Sequence, residues 1–286
     1  MSPSRDVGIR WTIGDVDRRG FEALRLAVWG AWHCFGPDAA YAVCVNSIPA
    51  QAARRHTGEL PCAVEWIEVD RSLPAWLVPH VDPENLIEGK VWKFHPLQLF
   101  PDRWEISVDN DCILWEIPPS IRRWLEAEDR ERCLIEADVT MAHGQFARLA
   151  GEEPRNTGIR GVPPGFPLEA ELRTLLRENP VVMSSELDEQ GLQVAAMGRR
   201  SPPEVVTVDE VSICSPFPPH LPRLGEFGAH FVGLNERSLP WDYCGRPATE
   251  WIAEHWRRHR PELYRHVGIA PAEPEPAHEP AGPHVA

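Results

Sequence analysis

The first hundred residues alternate between two patterns of apolar positions, one typical of strands and one typical of helices. Short apolar runs at Val7–Ile13, residues 41–45 and residues 63–69 predict buried strands. Between these runs, apolar residues recur at helical spacing over residues 21–35, and residues 49–56 predict a shorter helix. This alternation predicts an α/β fold with a mainly parallel central sheet and helices on both faces.

The pattern loosens along the rest of the chain. A helix at residues 90–100 and a strand at residues 104–108 continue the alternation. The later predicted elements are helices at residues 121–132, 141–149, 168–177, 188–197 and 248–259, a strand at 204–214, and a glycine- and proline-rich loop at 151–167. Residues 269–286 repeat proline, alanine and glutamate and are predicted to be disordered, because such a composition cannot bury a core. We therefore expect one domain over residues 1–268 and a disordered tail.

Composition excludes several classes of protein. The formal net charge of −14 argues against nucleic acid as the main partner. No apolar run reaches the roughly 18 residues of a membrane span, and the first residues do not have the pattern of a signal peptide. The seven cysteines include no C-x-x-C spacing and are interpreted as reduced, so we expect a cytoplasmic protein.

The strongest chemical signal is the triplet Asp109-Asn110-Asp111, which closes the predicted strand at residues 104–108. Alternate side chains of a strand share a face, so both carboxylates can point the same way. At the carboxyl end of a sheet strand, such a pair predicts a divalent-cation site in the ligand crevice. The alternative is a solvated turn, since two acids separated by one residue are common. Both lysines of the chain, Lys90 and Lys93, lie just before this triplet.

Further motifs follow the triplet in a fixed order. They are Asn156-Thr157-Gly158, the acidic segment 186–191 that ends in Gln190-Gly191, the Gly-x-His-Phe-x-Gly segment at 228–233, and Pro240-Trp241. In this order the chain resembles the retaining glycosyltransferases of carbohydrate family eight, the group of glycogenin and the lipopolysaccharide galactosyltransferases. The resemblance covers residues 7–260 and implies a single GT-A (nucleotide-diphospho-sugar transferase) domain.

The resemblance implies a Mn²⁺ or Mg²⁺ ion held by Asp109, Asp111 and His230, which bridges the two phosphates of the donor. Two carboxylates with one imidazole suit Mn²⁺, and the ion neutralises charge on the departing nucleoside diphosphate. The alternative for His230 is a hydrogen-bonded core residue, which would be the preferred interpretation if the surrounding motif were absent.

The resemblance also implies a set of donor-binding residues, namely Thr12, Lys93, Asn110, Asn156, Gly158, Gln190, Gly233 and Arg237. An ammonium group such as that of Lys93 serves as a point charge toward phosphate or sugar hydroxyls. A glycine at position 158 permits close approach of a neighbouring group. The alternative for Lys93 is an ordinary surface lysine, and the alternative for the motif at residues 156–158 is a plain turn.

Two positions depart from the family pattern. Glutamates replace both aspartates of the acidic motif, so Glu186, Asp188 and Glu189 are the candidate catalytic acids near the sugar's anomeric carbon. Acids are also favoured at a helix start, which is the alternative. The family's late diphosphate-binding lysine is absent, and Arg237 is the candidate to replace it.

These features predict a metal-dependent glycosyltransferase that moves a hexose from a nucleotide sugar, UDP-linked, to an acceptor, with retention implied by the resemblance alone. The alternative is a catalytically weak or inactive nucleotide-sugar-binding protein of the same fold. A haloacid-dehalogenase-type phosphatase is rejected, because its D-x-D lies near the N-terminus and its lysine lies downstream. A sugar-nucleotide pyrophosphorylase is rejected because residues 14–20 poorly match its first loop.

Overall fold

A seven-stranded sheet forms the centre of the computed structural model, which describes residues 6–69, 73–82, 91–237 and 239–271. Its strands are β1 (Val7–Ile13), β2 (Ala40–Val45), β3 (Glu65–Glu68), β4 (Trp104–Asp109), β6 (Leu134–Ala137), β7 (Arg155–Val162) and β8 (Glu204–Val206). They lie in the order β3-β2-β1-β4-β7-β6-β8. Within this sheet β7 runs antiparallel to both of its neighbours, and the other pairings are parallel. The predicted mainly parallel sheet is confirmed.

Helices cover both faces of this sheet. The helices are α1 (Arg18–Phe35), α2 (Ala50–Thr57), α3 (Pro119–Glu126), α4 (Ala147–Ala150), α5 (Leu168–Glu178), α6 (Glu186–Gly198) and α7 (Ala248–Val267). A small second sheet has the order β5-β10-β9, with β5 (Cys112–Leu114), β9 (Val211–Ile213) and β10 (Gly228–His230). A hairpin of β11 (Asp242–Tyr243) and β12 (Arg246–Pro247) precedes α7.

The two faces of the central sheet differ in chemistry. On one face Ile9, Trp11 and Ile106 pack in a large apolar core that also contains residues of α1 and α7. On the other face, Arg10 is buried against Glu105, and the two side chains form an ion pair of 2.6 Å. The alternation of apolar and polar residues along β1 and β4 produces this difference, because successive side chains of a strand point to opposite faces.

Residues 151–167 differ most from their prediction, which is a loop. They contain β7, the eight-residue strand that joins β4 to β6. The glycines at positions 158 and 161 suggested a turn but serve close packing. A side chain at Gly161 would overlap Leu134 and Trp124, so the sheet requires glycine there.

Other predicted bounds were also wrong. The helix predicted at residues 90–100 is a 3₁₀ helix at Val91–Phe94 in its described part, and Pro96 is unfavourable for its continuation. The strand predicted at 204–214 is divided into β8 and β9, and the helix predicted at 121–132 ends at Glu126. The helix predicted at 141–149 is a 3₁₀ helix at Gly144–Phe146 followed by the short α4. The strand β6 was not predicted.

The predicted domain boundary lies close to the end of the described chain. Ile269, assigned to the disordered tail, packs against the apolar core, and its N–H donates to the carbonyl of Tyr264. Residues 272–286 of the predicted tail lie outside the described residues, as does Lys90. No helix in the described part of the chain is long and apolar enough to cross a membrane.

Candidate metal and donor site

The site begins at the carboxyl edge of the sheet, where β1 and β4 lie side by side. The chain passes from β1 to β2 and β3 on one side and then returns to β4 on the other. Such a reversal leaves a crevice at the carboxyl ends of the strands, where α/β proteins bind ligands. Thr12 of β1 pairs with Asp109 of β4 at this edge, and its side chain is half-buried.

The small second sheet brings His230 to the aspartates. β10 pairs antiparallel with β5, so that His230 lies opposite Cys112, the residue after Asp111. The N–H of Phe231 donates to the carbonyl of Asp111 at 2.9 Å and fixes this register. A histidine distant in sequence therefore joins the triplet because β5 follows Asp111 immediately.

Asp109, Asp111 and His230 offer one ligand atom each, and these atoms lie within 4.8 Å of one another. Nε2 of His230 is 3.8 Å from Oδ2 of Asp109 and 3.6 Å from Oδ1 of Asp111. An ion with metal–ligand bonds of about 2 Å separates neighbouring ligand atoms by about 3–4 Å. The three side chains can therefore bind one divalent cation.

Glu136 of β6 holds the other side of the histidine ring. Its Oε2 lies 3.0 Å from Nδ1 of His230, and its side chain is 0% exposed. Histidines that bind metals usually donate the second ring nitrogen to a carboxylate or a carbonyl, which fixes the ring for ligation. The pair has space only because residue 158 is glycine, since a side chain there would overlap both His230 and Glu136.

The charges of this group depend on one another. Burial alone would lower the pKa of His230, but Glu136, Asp111 and Asp109 outweigh it and raise this pKa to about 9. Burial raises the pKa of Asp111 to about 6. Burial also acts to raise the pKa of Asp109, but Lys93 and His230 hold it below the usual value. With its pKa at about 9, the ring of His230 is protonated around neutral pH, and its positive charge lies beside these carboxylates.

Lys93 contacts the same aspartate from the 3₁₀ helix at Val91–Phe94. Its Nζ lies 2.8 Å from Oδ2 of Asp109 and donates to Oγ1 of Thr157 at 3.1 Å. The structure therefore brings Lys93 to Asp109 from a 3₁₀ helix, and its predicted contact with the donor stays a prediction. Its side chain is 21% exposed, so the ammonium group borders the crevice.

The side chain of Asn110 contacts α1 and Asn235. Its Nδ2 donates to the carbonyl of Gly20 and to Oδ1 of Asn235, and Asn235 in turn donates to Oδ1 of Asn110 and to Oδ2 of Asp111. The amide of Asn110 is thus used in protein contacts that fasten the triplet to α1 and to the segment after β10. Its predicted role in donor binding stays a prediction.

The Asn-Thr-Gly motif lies on β7, next to the metal-site residues. Asn156 donates to Oδ2 of Asp138 at 2.8 Å, and its Oδ1 accepts the N–H of Gly158. Gln190 of α6 accepts from the N–H of Thr157 at 3.2 Å and donates to the carbonyl of Ala142. The motifs at 156–158 and 190 are therefore joined directly, which their separation in sequence did not reveal.

The three candidate acids of α6 have different surroundings. Glu186 is exposed at the start of the helix. Asp188 is buried and accepts from the N–H groups of Gln145 and Ser184 and from the side-chain amide of Gln145. Although burial acts to raise the pKa of Asp188, these hydrogen bonds lower it. Asp188 therefore holds the start of α6 against the residues before α4.

Glu189 is the candidate acid that lies toward the site. Its side chain is buried, and burial raises its pKa to about 7 against the opposing influence of Lys93 and Arg160. It accepts a hydrogen bond from Gln193, which also contacts the buried guanidinium of Arg160. A buried carboxyl group that titrates near neutral pH beside a ligand crevice is typical of functional sites.

The two late donor-binding candidates lie after β10. Gly233 has a φ of +84°, a conformation that favours glycine, so it turns the chain after the histidine motif. Arg237 is 55% exposed, and its guanidinium lies 2.6 Å from Oδ1 of Asp15, a residue in the loop after β1. Arg237 is thus near the carboxyl edge of the sheet, but it contacts a carboxylate.

Two residues of the site are not predicted by the sequence. Glu136 lies within the otherwise apolar run at residues 133–137. If this run is identified as a strand, the buried acid within it marks Glu136 as a candidate site residue. Asn235 lies in the segment that separates the histidine motif from Pro240-Trp241. No local pattern marks it, because its role depends on a contact with Asp111 across the fold.

Comparison of the sequence with known proteins finds no family model and no curated protein that matches. Comparison of the structure finds glycosyltransferases. The galactosyltransferase LgtC in complex with donor and acceptor sugar analogs is 12% identical, with 94% of this chain and 98% of that chain covered at a TM-score of 0.50. The bifunctional glycosyltransferase WbbM is 12% identical, with 92% of this chain and 52% of that chain covered at a TM-score of 0.48. Mouse xyloside xylosyltransferase 1 is 12% identical, with 72% of this chain and 87% of that chain covered at a TM-score of 0.49. The central α/β sheet and the near-complete overlap with LgtC identify the architecture of this chain as a GT-A-like glycosyltransferase fold.

Proposed function

We propose that the protein is a metal-dependent glycosyltransferase that moves a hexose from a nucleotide sugar, UDP-linked, to an acceptor hydroxyl with retention of configuration. The observation that carries this proposal is the convergence of Asp109, Asp111 and His230 at the carboxyl edge of the sheet. In a GT-A-like fold this edge is the place where a diphosphate would lie.

Asp109, Asp111 and His230 would hold a Mn²⁺ or Mg²⁺ ion. Their donor set of two carboxylates and one imidazole, with Glu136 behind the imidazole, fits such an ion. When bound, the ion supplies positive charge that neutralises the departing nucleoside diphosphate. This contribution matters because the chain itself carries a net charge of −14 and repels anions.

Around this centre, the chain's own residues would orient the donor. Thr12 lies at the edge of β1, where the nucleotide is expected, and Lys93 borders the crevice with its ammonium group. Asn156 and Gly158 lie on the neighbouring strand β7. Glu189 is the acid that we assign to the positive charge that develops at the anomeric carbon, because a carboxylate fixed in a buried site stabilises such charge strongly.

A catalytically weak or inactive nucleotide-sugar-binding protein is the second candidate. It is favoured by the pairing of Arg237, the candidate replacement for the family's late lysine, with Asp15 at 2.6 Å. Weaker stabilisation of the negative charge on the departing diphosphate would slow transfer more than it weakens donor binding, because that charge develops in the transition state. We also propose that the protein acts in the cytoplasm, since each of its seven cysteines is free.

A thermal-shift panel of nucleotide sugars, with Mn²⁺ or with a chelator, tests the proposal. We expect UDP or a UDP-sugar to stabilise the fold only when the metal is present, because a ligand that binds the native state raises its stability. Asp111→Asn should abolish the shift, whereas Asp209→Asn, at an 83% exposed side chain, should preserve it. Equal stabilisation with the chelator would contradict the metal assignment.

Hydrolysis of the stabilising sugar nucleotide separates the two candidates. An enzyme should release nucleoside diphosphate slowly even without an acceptor, and Asp111→Asn should remove this release. A protein that binds the donor but releases no diphosphate, with or without acceptor sugars, would be the inactive binder.

A further inference from the structure

A second group of metal-ligating side chains lies apart from the crevice. Cys214, His255 and His259 are buried, and one ligand atom from each lies within 4.8 Å of the others. Sγ of Cys214 is 3.2 Å from Nε2 of His255. None of these residues belongs to the motifs that support the proposed function.

The fold assembles this cluster from two elements. His255 and His259 are four residues apart on α7, so they share one face of the helix. Cys214 directly follows β9, and its N–H donates to the carbonyl of His230 at 2.8 Å. The ring of Phe231 packs beside both histidine rings. The cluster therefore lies behind the strand that carries His230.

We propose that Cys214, His255 and His259 form a second metal site that binds Zn²⁺. A thiolate with two imidazoles is a donor set suited to zinc, whereas Mn²⁺ and Mg²⁺ prefer oxygen ligands such as those of Asp109 and Asp111. The two sites therefore select different metals. Three protein ligands leave the fourth position of a tetrahedral zinc ion for water or another donor.

The surroundings of His259 favour ligation. Its Nε2 lies 3.2 Å from the carbonyl oxygen of Pro222. A metal-bound histidine usually donates its second ring nitrogen to a carbonyl or a carboxylate, and this hydrogen bond fixes the ring. The carbonyl of Pro222 would serve His259 in the way that Glu136 serves His230.

Zinc in this cluster would join α7 to the small second sheet. Binding replaces the proton of the Cys214 thiol, so a zinc–sulfur bond forms and one proton is released to solvent. Because Cys214 holds the carbonyl of His230, the ion would steady the strand that presents His230 to the crevice. Without a metal, the same three side chains form a hydrogen-bonded core cluster, which is the outcome that the test must distinguish.

Cobalt titration of the metal-stripped full chain tests the proposal. Bound by a thiolate, Co²⁺ gives a sulfur-to-metal charge-transfer absorption, so we expect this band to saturate at one cobalt ion per chain and to disappear when Zn²⁺ is added. Cys214→Ala should abolish the band. Cys133→Ala, at another buried cysteine, and Asp111→Asn, in the oxygen-rich site, should both retain it.

Zinc should also raise the melting temperature of the wild-type chain but not that of Cys214→Ala. If Cys214→Ala does not fold, His259→Gln removes a ligand while retaining a polar side chain and should weaken cobalt binding. A folded wild-type chain that shows no charge-transfer band overturns the proposal, and so does a band that persists in Cys214→Ala. Neither result depends on glycosyl transfer, because the measurements require no sugar nucleotide.

Discussion

Oε2 of Glu136 lies 3.0 Å from Nδ1 of His230 and leaves Nε2 directed at the two aspartates. This contact fixes the ring in the orientation that metal binding requires. We expect Glu136→Gln to weaken Mn²⁺ binding by roughly 10- to 100-fold, because loss of such a partner commonly has an effect of this size. Calorimetric titration with Mn²⁺ measures it. Glu131→Gln, at an exposed glutamate, is the control, and unchanged affinity in Glu136→Gln would contradict the assignment.

Metal binding should also depend on pH through His230. Its pKa is raised to about 9, so below this value the metal must displace a proton from the ring. We expect the apparent Mn²⁺ affinity to increase with pH by up to about tenfold per unit below 9. Below about 6, protonation of Asp111 should make the dependence steeper. Titrations at several pH values check this, and a flat profile would show that His230 does not bind the ion.

Gly158 provides the space for the pair of His230 and Glu136. A methyl group there would overlap both side chains, so Gly158→Ala must move one of them. We expect a loss of Mn²⁺ binding together with a destabilisation of about 1–3 kcal/mol, the usual cost of overpacking. Urea unfolding and Mn²⁺ titration measure the two effects. Gly198→Ala, at the end of α6 with no close neighbour, is the control and should keep both properties.

The first part of the fold could be predicted because its local sequence patterns agree with its packing. β1, α1 and β2 were recognised because their apolar periodicity coincides with the faces that they bury. Asp109 and Asp111 were recognised for a similar reason, since an apolar strand leads directly to them. Their meeting with His230 was implied only by the resemblance, because the pairing of β5 with β10 is a long-range contact.

The strand β7 shows why the rest could not be predicted. Its glycines suggested a loop. In the fold, however, the absence of a side chain at Gly158 leaves space for His230, and its absence at Gly161 leaves space for Trp124, and both neighbours are distant in sequence. The composition of a segment indicates only its local conformational preference. These glycines are required by packing against residues that become neighbours only in the folded chain. The same reason explains why Glu136 was missed, since its partner is a histidine on another sheet.

Asp188 and Glu189 are adjacent in sequence but should respond differently to substitution. Asp188 accepts three hydrogen bonds from Gln145 and Ser184, so Asp188→Ala leaves these donors without their acceptor. We expect a loss of about 1–3 kcal/mol in the free energy of unfolding. Asp188→Asn, which retains one acceptor oxygen, should lose less. Denaturant unfolding measures both, and an unchanged stability of Asp188→Ala would mean that the carboxylate does not hold α6.

Glu189→Gln should instead stabilise the protein at neutral pH. Burial raises the pKa of Glu189 from 4.5 to about 7, so between these values the folded chain retains a proton that the unfolded chain has lost. The contribution of this residue to stability therefore falls as pH rises through this window and is constant above it. Glutamine carries no such cost, and the variant should gain up to ~3 kcal/mol over the wild type above about pH 7.

Urea unfolding across this pH range checks the gain, with Glu169→Gln at an exposed position of α5 as the control. If Glu189 also stabilises charge at the anomeric carbon, the same variant should lose turnover while UDP binding stays nearly intact, because that charge develops in the transition state. A protein that becomes more stable and less active through one substitution has sacrificed stability for function at that position. Unchanged turnover together with the stability gain would make Glu189 a buried acid without a catalytic role.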